Sequence, residues 1–147
     1  MTWQALEDSA PELADYGAQR LTTSRVAYLA TVGEDGAPRV HPVTPILASG
    51  RLFVFMESTS PKGRDLERGS RYALHCTVED ARGGRGEFRI TGAGRRVTDP
   101  QLRAVAVEAA PYDPSDRYVL FELLVDHALS TTYDEHGAPV RRRWRQP

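Results

Sequence analysis

Ser60, Pro61 and Lys62 follow a short hydrophobic run, Leu52 to Met56, and precede a segment that Gly69 closes. Their types place Ser60 at a helix N-cap, Pro61 at the first helical position and Lys62 in the first turn. A helix start carries unpaired backbone N–H groups and a partial positive charge, so a cation there is intrinsically unfavourable and calls for an anion. A phosphate at that point would accept bonds from the Ser60 hydroxyl and the helix amides while neutralising Lys62, and Arg64 could add a second charge. The alternative is an ordinary solvated helix start, with Asp65 or Glu67 neutralising Lys62 locally. Spacing alone does not separate the two.

Composition singles out the same residue. Of the 19 basic residues in the 147-residue chain, 18 are Arg and only Lys62 is Lys. Elsewhere the residue types that carry chemistry are scattered. The four histidines, His41, His75, His127 and His136, form no pair at metal-ligand spacing with one another, with Cys76 or with an acid. His75 and Cys76 are consecutive in a predicted strand and point to opposite faces. A single cysteine excludes an intrachain disulfide, and no Ser-His-Asp or Cys-His arrangement is legible. His127, beside Asp126, reads as a structural residue. No metal site and no catalytic side chain are expected from the residues alone.

These residues need a scaffold, and the chain supplies enough apolar material for one domain: 40% hydrophobic residues against 27% charged. A formal charge of −1 argues against a dedicated nucleic-acid or anionic-membrane binder. With no signal-like start and no run of roughly 18 apolar residues, the expectation is a cytoplasmic protein. Apolar spacing from Trp3 to about Gln19 predicts a helix that Pro11 kinks or divides. Arg25 to Val32 reads as a strand apolar on both faces, which demands cover on both sides. Gly33 to Gly36 is a hairpin turn leading into a strand over 37–47, whose Pro38, Pro42 and Pro45 require an edge or a bulge. Strands are expected over 52–56, 71–78, 87–97, 118–133 and 138–145, and a helix from an Asp99 cap to about Ala110. Six or seven strands in hairpins with three helices suggest a small barrel.

The segments GEDGAPRVHPVTPIL (33–47), RLFVFMESTSPKGRDLERGSR (51–71) and RITGAGRRVTD (89–99), taken in order, resemble the pyridoxamine 5'-phosphate oxidase-like family of FMN-binding split β-barrels. The resemblance runs from about Thr22 to Trp144. It implies one mainly β domain with α, over residues 1–147: a six- to seven-stranded antiparallel Greek-key split β-barrel with flanking helices. It implies that Ser60 and Lys62 hold a flavin phosphate, with His41, Pro42, Val43 and Thr44 along the ring and Phe55 and Met56 in the same pocket. It further implies a homodimer with the cofactor site at the interface, reached by Trp144 and an Arg of the second subunit.

The chain departs from the vitamin-synthesising members, which carry Arg in place of His41, Lys in place of Ile46 and a longer C-terminal substrate motif. Those losses argue against pyridoxamine phosphate as substrate. The expected function is an FMN-dependent oxidoreductase passing hydride to or from a small organic molecule. A deazaflavin-dependent reductase and a non-catalytic flavin- or haem-binding module are the alternatives. In either enzyme the reactive atom belongs to the cofactor, so no general acid or base need stand out.

Overall fold

A computed structural model describes residues 1–147. The chain opens with two helices, α1 (Trp3–Ser9) and α2 (Pro11–Thr23), and continues through strands β1 (Ala27–Val32), β2 (Pro38–Val43), β3 (Ile46–Ala48) and β4 (Arg51–Met56). Helix α3 (Pro61–Glu67) leads to β5 (Arg71–Cys76) and β6 (Glu87–Val97). Helix α4 (Pro100–Ala109) leads to β7 (Val119–Tyr133) and β8 (Pro139–Arg145). There are eight strands rather than six or seven, and four helices rather than three. Prolines account for both differences. Pro11 divides the first helix, and Thr44 with Pro45 interrupts the strand expected over 37–47.

All pairings are antiparallel, in the order β2-β1-β5-β6-β7-β4-β3, with β8 added to the far half of β7. The path is not closed by hydrogen bonds. Its two ends, β2 and β3, are neighbours in sequence, so the split falls at Thr44 and Pro45. Strand β6 shifts register between Thr91 and Gly92, where a Cβ on Gly92 would lie 1.7 Å from the Leu124 carbonyl oxygen. Only glycine permits this close approach.

The run Leu52–Met56 is wholly apolar because β4 is buried on both faces. Leu52, Val54 and Met56 join the main core with Trp3 and Leu6 of α1, Leu13 and Leu21 of α2, and Phe88 and Phe121. Phe53 and Phe55 face a smaller cluster with Ile46, Leu120 and Ala106 of α4. Strand β1 differs from expectation. Its Ala27, Leu29 and Thr31 are buried, but Tyr28 and Val32 stay 43% and 46% exposed, and Val40 of the paired β2 is 65% exposed. Within one chain only one face of β1 is covered.

Two carboxylates are fully buried, and each joins elements distant in sequence. Glu122 on β7 accepts hydrogen bonds from Arg51 at 2.9 Å and Arg95 at 2.5 Å, tying β4 and β6 to β7. Asp65 on α3 accepts from Thr31 Oγ1 at 2.8 Å and from Arg68 at 2.5 Å, with Arg39 Nε at 3.1 Å. It thereby fixes α3 against β1 and β2.

Candidate functional site

The residues ahead of α3 fold as their types require. Ser60 has extended backbone and its hydroxyl oxygen accepts from the Gly63 N–H at 3.2 Å, while Pro61 begins the helix. The Ser60 hydroxyl proton remains free to donate to a ligand. Lys62 is half-buried and has no carboxylate within 4.0 Å. The two local acids are engaged elsewhere: Asp65 with Thr31, Arg39 and Arg68, and Glu67 with Arg96. Local neutralisation, the competing account of this motif, is therefore not what the fold adopts. Burial pushes the Lys62 ammonium below its ordinary value.

Lys62 lines a cavity of about 320 Å³ together with Pro42, Val43 and Thr44 from β2 and its exit, and Phe55 and Met56 from β4. That volume lies in the range of small-molecule sites, about 300–1,000 Å³. His41 precedes these residues on β2. Its Nε2 is buried and has no hydrogen-bond partner. Burial first, then the charges of Lys62 and Arg39, push His41 below the usual histidine value against the pull of Asp65. His41 is not among the lining residues, but its orphaned nitrogen lies close enough to Lys62 to feel its charge, and an anion between the two would relieve both.

Arg64 is exposed, makes no ion pair and does not line the cavity. Trp144 sits elsewhere in the protomer. It packs against the main core, and its Nε1 donates to Ser9 Oγ at 2.7 Å. One chain therefore does not bring Trp144 to Lys62. The cavity also includes four residues not singled out from sequence: Val26, Glu57, Tyr112 and Tyr118. The two tyrosines come from the irregular segment after α4. Arg103 braces that segment, donating to the Tyr118 and Ser115 carbonyls at 2.8 and 3.3 Å while its guanidinium lies 5.1 Å from the Phe55 ring centroid. Arg117 adds a bond to Glu57 at 2.9 Å. Burial and the neighbouring Tyr118 push the Tyr112 phenol up, so it is neutral at neutral pH.

The lining holds no paired nucleophile and base. No group of three His, Cys, Asp or Glu residues is placed to hold a metal ion. The cavity offers one cation, Lys62, against apolar side chains. The Glu57 carboxylate in the lining is held by Arg117, and the Ser60 hydroxyl is at the cap of the Lys62 helix, outside the lining. This suits a ligand with an anionic end and a flat apolar body.

A family model described as pyridoxamine 5'-phosphate oxidase matches residues 15–127. The chain belongs to this family. No curated protein matches the sequence. Among solved structures, the family fold is shared with a heme binding protein from Mycobacterium smegmatis, at 18% identity and a TM-score of 0.67. The alignment covers 88% of this chain and 57% of that one. It is shared also with PhzG from Burkholderia lata, in complex with tetrahydrophenazine-1-carboxylic acid, at 17% identity and a TM-score of 0.63, covering 93% and 84% of the two chains. A third is HutZ, a heme storage protein from Vibrio cholerae, at 17% identity and a TM-score of 0.58, covering 80% and 89%. Proteins sharing this fold thus include two named for haem binding and haem storage and one bound to tetrahydrophenazine-1-carboxylic acid. No helix of the chain is long and apolar enough to cross a membrane.

Proposed function

We propose that the protein is a cytoplasmic, homodimeric flavoprotein that binds FMN and passes hydride between it and a small organic molecule. The single observation that carries this reading is Lys62, a half-buried cation with no carboxylate partner, two residues after the Ser60 cap and lining a cavity with Val43, Phe55 and Met56. Ser60 and Lys62 would hold the phosphate, with His41 Nε2 within the same polar end and Arg64 contributing charge from outside. Pro42, Val43, Thr44, Phe55 and Met56 would lie along the ring and exclude water from it. Bound flavin supplies the hydride-carrying atom, and the side chains supply orientation and a dry environment. The uncovered apolar residues Tyr28, Val32 and Val40 favour a second copy over that face. Trp144 then belongs to the proposal as a contribution from the second subunit.

A second reading rests on a different observation. The cavity lacks an acid–base pair, and two fold neighbours are named for haem, so a binding module without turnover fits the same walls. A deazaflavin in place of FMN is the third occupant considered. The test is the absorption spectrum of purified protein, with mass identification of what it carries, followed by titration with FMN, the deazaflavin and haem. A flavin spectrum and steady reoxidation of reduced cofactor by an organic acceptor support the first reading. A Soret band without flavin uptake supports the second, and protein that stays colourless with all three refutes both.

A further inference from the structure

One cross-strand row crosses six strands on the uncovered face of the sheet. Pro42, Tyr28, His75, Arg89, Leu129 and Arg143 lie opposite one another in turn, from β2 through β1, β5, β6 and β7 to β8. The next row on the same face runs from Val40 through Ala30, Ala73, Thr91 and His127 to Arg145. The two ends differ in character. Toward β2 the face is apolar and borders the Lys62 cavity, which Pro42 and Val26 line. Toward β8 it is basic. Arg89, Arg143 and Arg145 are exposed and make neither an ion pair nor a side-chain hydrogen bond, whereas Arg142 between them is held by Glu12 at 3.2 Å. The carboxylate nearest Arg89 along its strand on this face, Glu87, is held by His75 at 3.3 Å. An apolar cover would leave three guanidiniums buried without a counter-charge, so whatever covers this end must bring acids.

Acids in the same condition border the opposite end. Asp113 and Asp116 are exposed and form no ion pair and no side-chain hydrogen bond. They belong to the segment whose Tyr112 and Tyr118 line the Lys62 cavity with Pro42. That segment is held in place from within its own chain: Pro114 is buried, Arg103 donates to the Ser115 and Tyr118 carbonyls, and Arg117 bonds to Glu57. With strands about 4.8 Å apart, Arg143 lies about 24 Å across the sheet from Pro42, so the basic end cannot reach these acids within one chain. A second copy changes this. A two-fold axis running along the strands through the middle of the face reverses the strand order of the partner. Strand β8 of each protomer then lies over β1 and β2 of the other, and each basic end meets an acidic segment. Both halves of such an isologous interface carry the same charge complementarity.

We propose that Arg89, Arg143 and Arg145 of one protomer pair with Asp113 and Asp116 on the cavity wall of the other, so that the second copy fixes the segment carrying Tyr112 and Tyr118 against the ligand. This rests on the homodimer reading above and adds to it the charges that join the copies and the part of the site they hold.

The test is sedimentation velocity of the full chain at micromolar concentration, with FMN titration of the same samples, on two charge-reversed variants: Arg89→Glu/Arg143→Glu and Asp113→Arg/Asp116→Arg. All four side chains are exposed and unpaired, so both variants should keep the wild-type circular dichroism. Wild type is expected to sediment as a dimer that added salt weakens. Either variant alone sets like charges against each other at both contacts, and its dimer should dissociate at least tenfold more readily. Mixed in equal amounts, the two variants restore opposite charges at both contacts. The mixture should form heterodimers of wild-type affinity and regain the FMN affinity that each variant loses. A monomeric wild type overturns the homodimer reading and this pairing together. A wild-type dimer with both variants equally dimeric overturns the pairing alone, as does a mixture that associates no more tightly than its components. Loss of FMN binding by an Arg89→Glu/Arg143→Glu protein that remains a dimer would assign the guanidiniums to the cofactor and overturn it too.

Discussion

Replacing Asp65 with Asn tests whether the candidate site depends on a carboxylate that never touches the ligand. The native side chain is fully buried and serves three partners: Thr31 on β1, Arg39 on β2 and Arg68 at the end of its own helix. An amide keeps an acceptor for Thr31 but removes the charge that both arginines face. Hydrogen bonds to charged groups contribute about 1.5–3 kcal/mol each. Arg68 donates a hydrogen bond and Arg39 contributes its charge alone, and both are 39% exposed and can turn to water, so the lower half of that range applies. Relief of burying a carboxylate offsets a further part. The net cost is about 2–3 kcal/mol, which for a chain of this length lowers the melting temperature by roughly 5–10 °C. Burial pushes the native carboxyl up, but the bonds from Thr31 and Arg68 with the charge of Arg39 outweigh it and hold it below the usual carboxylate range. Its stabilisation is therefore present above the unfolded value, about 3.9, and fades as pH falls through the lower folded value. Denaturant unfolding of wild type and variant from pH 7 to pH 2 should show a gap that closes only at the acid end. FMN affinity, measured by fluorescence quenching at pH 7, should fall as well, because α3 carries Lys62. Equal stability at pH 7, or a gap that does not change down to pH 2, would refute this account.

Lys62→Met is expected to weaken FMN binding at least tenfold while raising the melting temperature of the ligand-free protein by about 1–3 °C, since an unpaired, half-buried ammonium gives way to an apolar chain; calorimetry on both forms checks each direction. Gly92→Ala forces a Cβ to within 1.7 Å of the Leu124 carbonyl, so the bulge must rebuild, and a loss of about 3 kcal/mol or failure to accumulate as folded protein is expected in chemical denaturation. His75, held by hydrogen bonding to Cys76 against burial and helped by Glu87, is pushed up to about 9. Its contribution is complete below the unfolded value near 6.5 and disappears as pH rises through about 9, so wild type and His75→Ala should converge in stability by pH 10.

Much of this scaffold is legible in the residues because local chemistry dictates it. Pro11 marks the break between α1 and α2 although not whether it kinks or divides, Asp99 with Pro100 opens α4, and the alternation of Val140, Arg142 and Trp144 against Arg141, Arg143 and Arg145 matches the β8 register. Lys62, Pro42 to Thr44 and the Phe55–Met56 pair line one cavity, and Ser60 caps the helix that carries Lys62. Other features depend on what long-range pairing puts side by side. Sequence leaves Asp65 open as one of two local counter-ions for Lys62 because both lie on one short helix; its partner Thr31 is 34 residues away and meets it only when α3 packs on β1. Tyr112 and Tyr118 reach the cavity because Val119 pairs with Met56, a register that no local motif encodes. The uncovered face of β1 shows a different limit. An apolar strand states that cover is needed, not whether the same chain provides it.

The order of strand pairing also divides the chain into three pieces. Strands β5 to β8 join through β5–β6, β6–β7 and β7–β8, while β1–β2 and β3–β4 are separate hairpins that do not pair with each other. Only two seams, β1–β5 and β4–β7, unite them. Both span long sequence separations, so docking of the two hairpins onto β5–β8 is the slow step expected in folding. Lys62 stands on the short helix between β4 and β5, with Val43 from the first hairpin, Phe55 from the second and Tyr112 and Tyr118 from the segment before β7. A ligand filling that cavity fastens the two hairpins to each other across the split. Amide exchange should then slow along both seams on ligand binding, and not only around the residues the ligand touches.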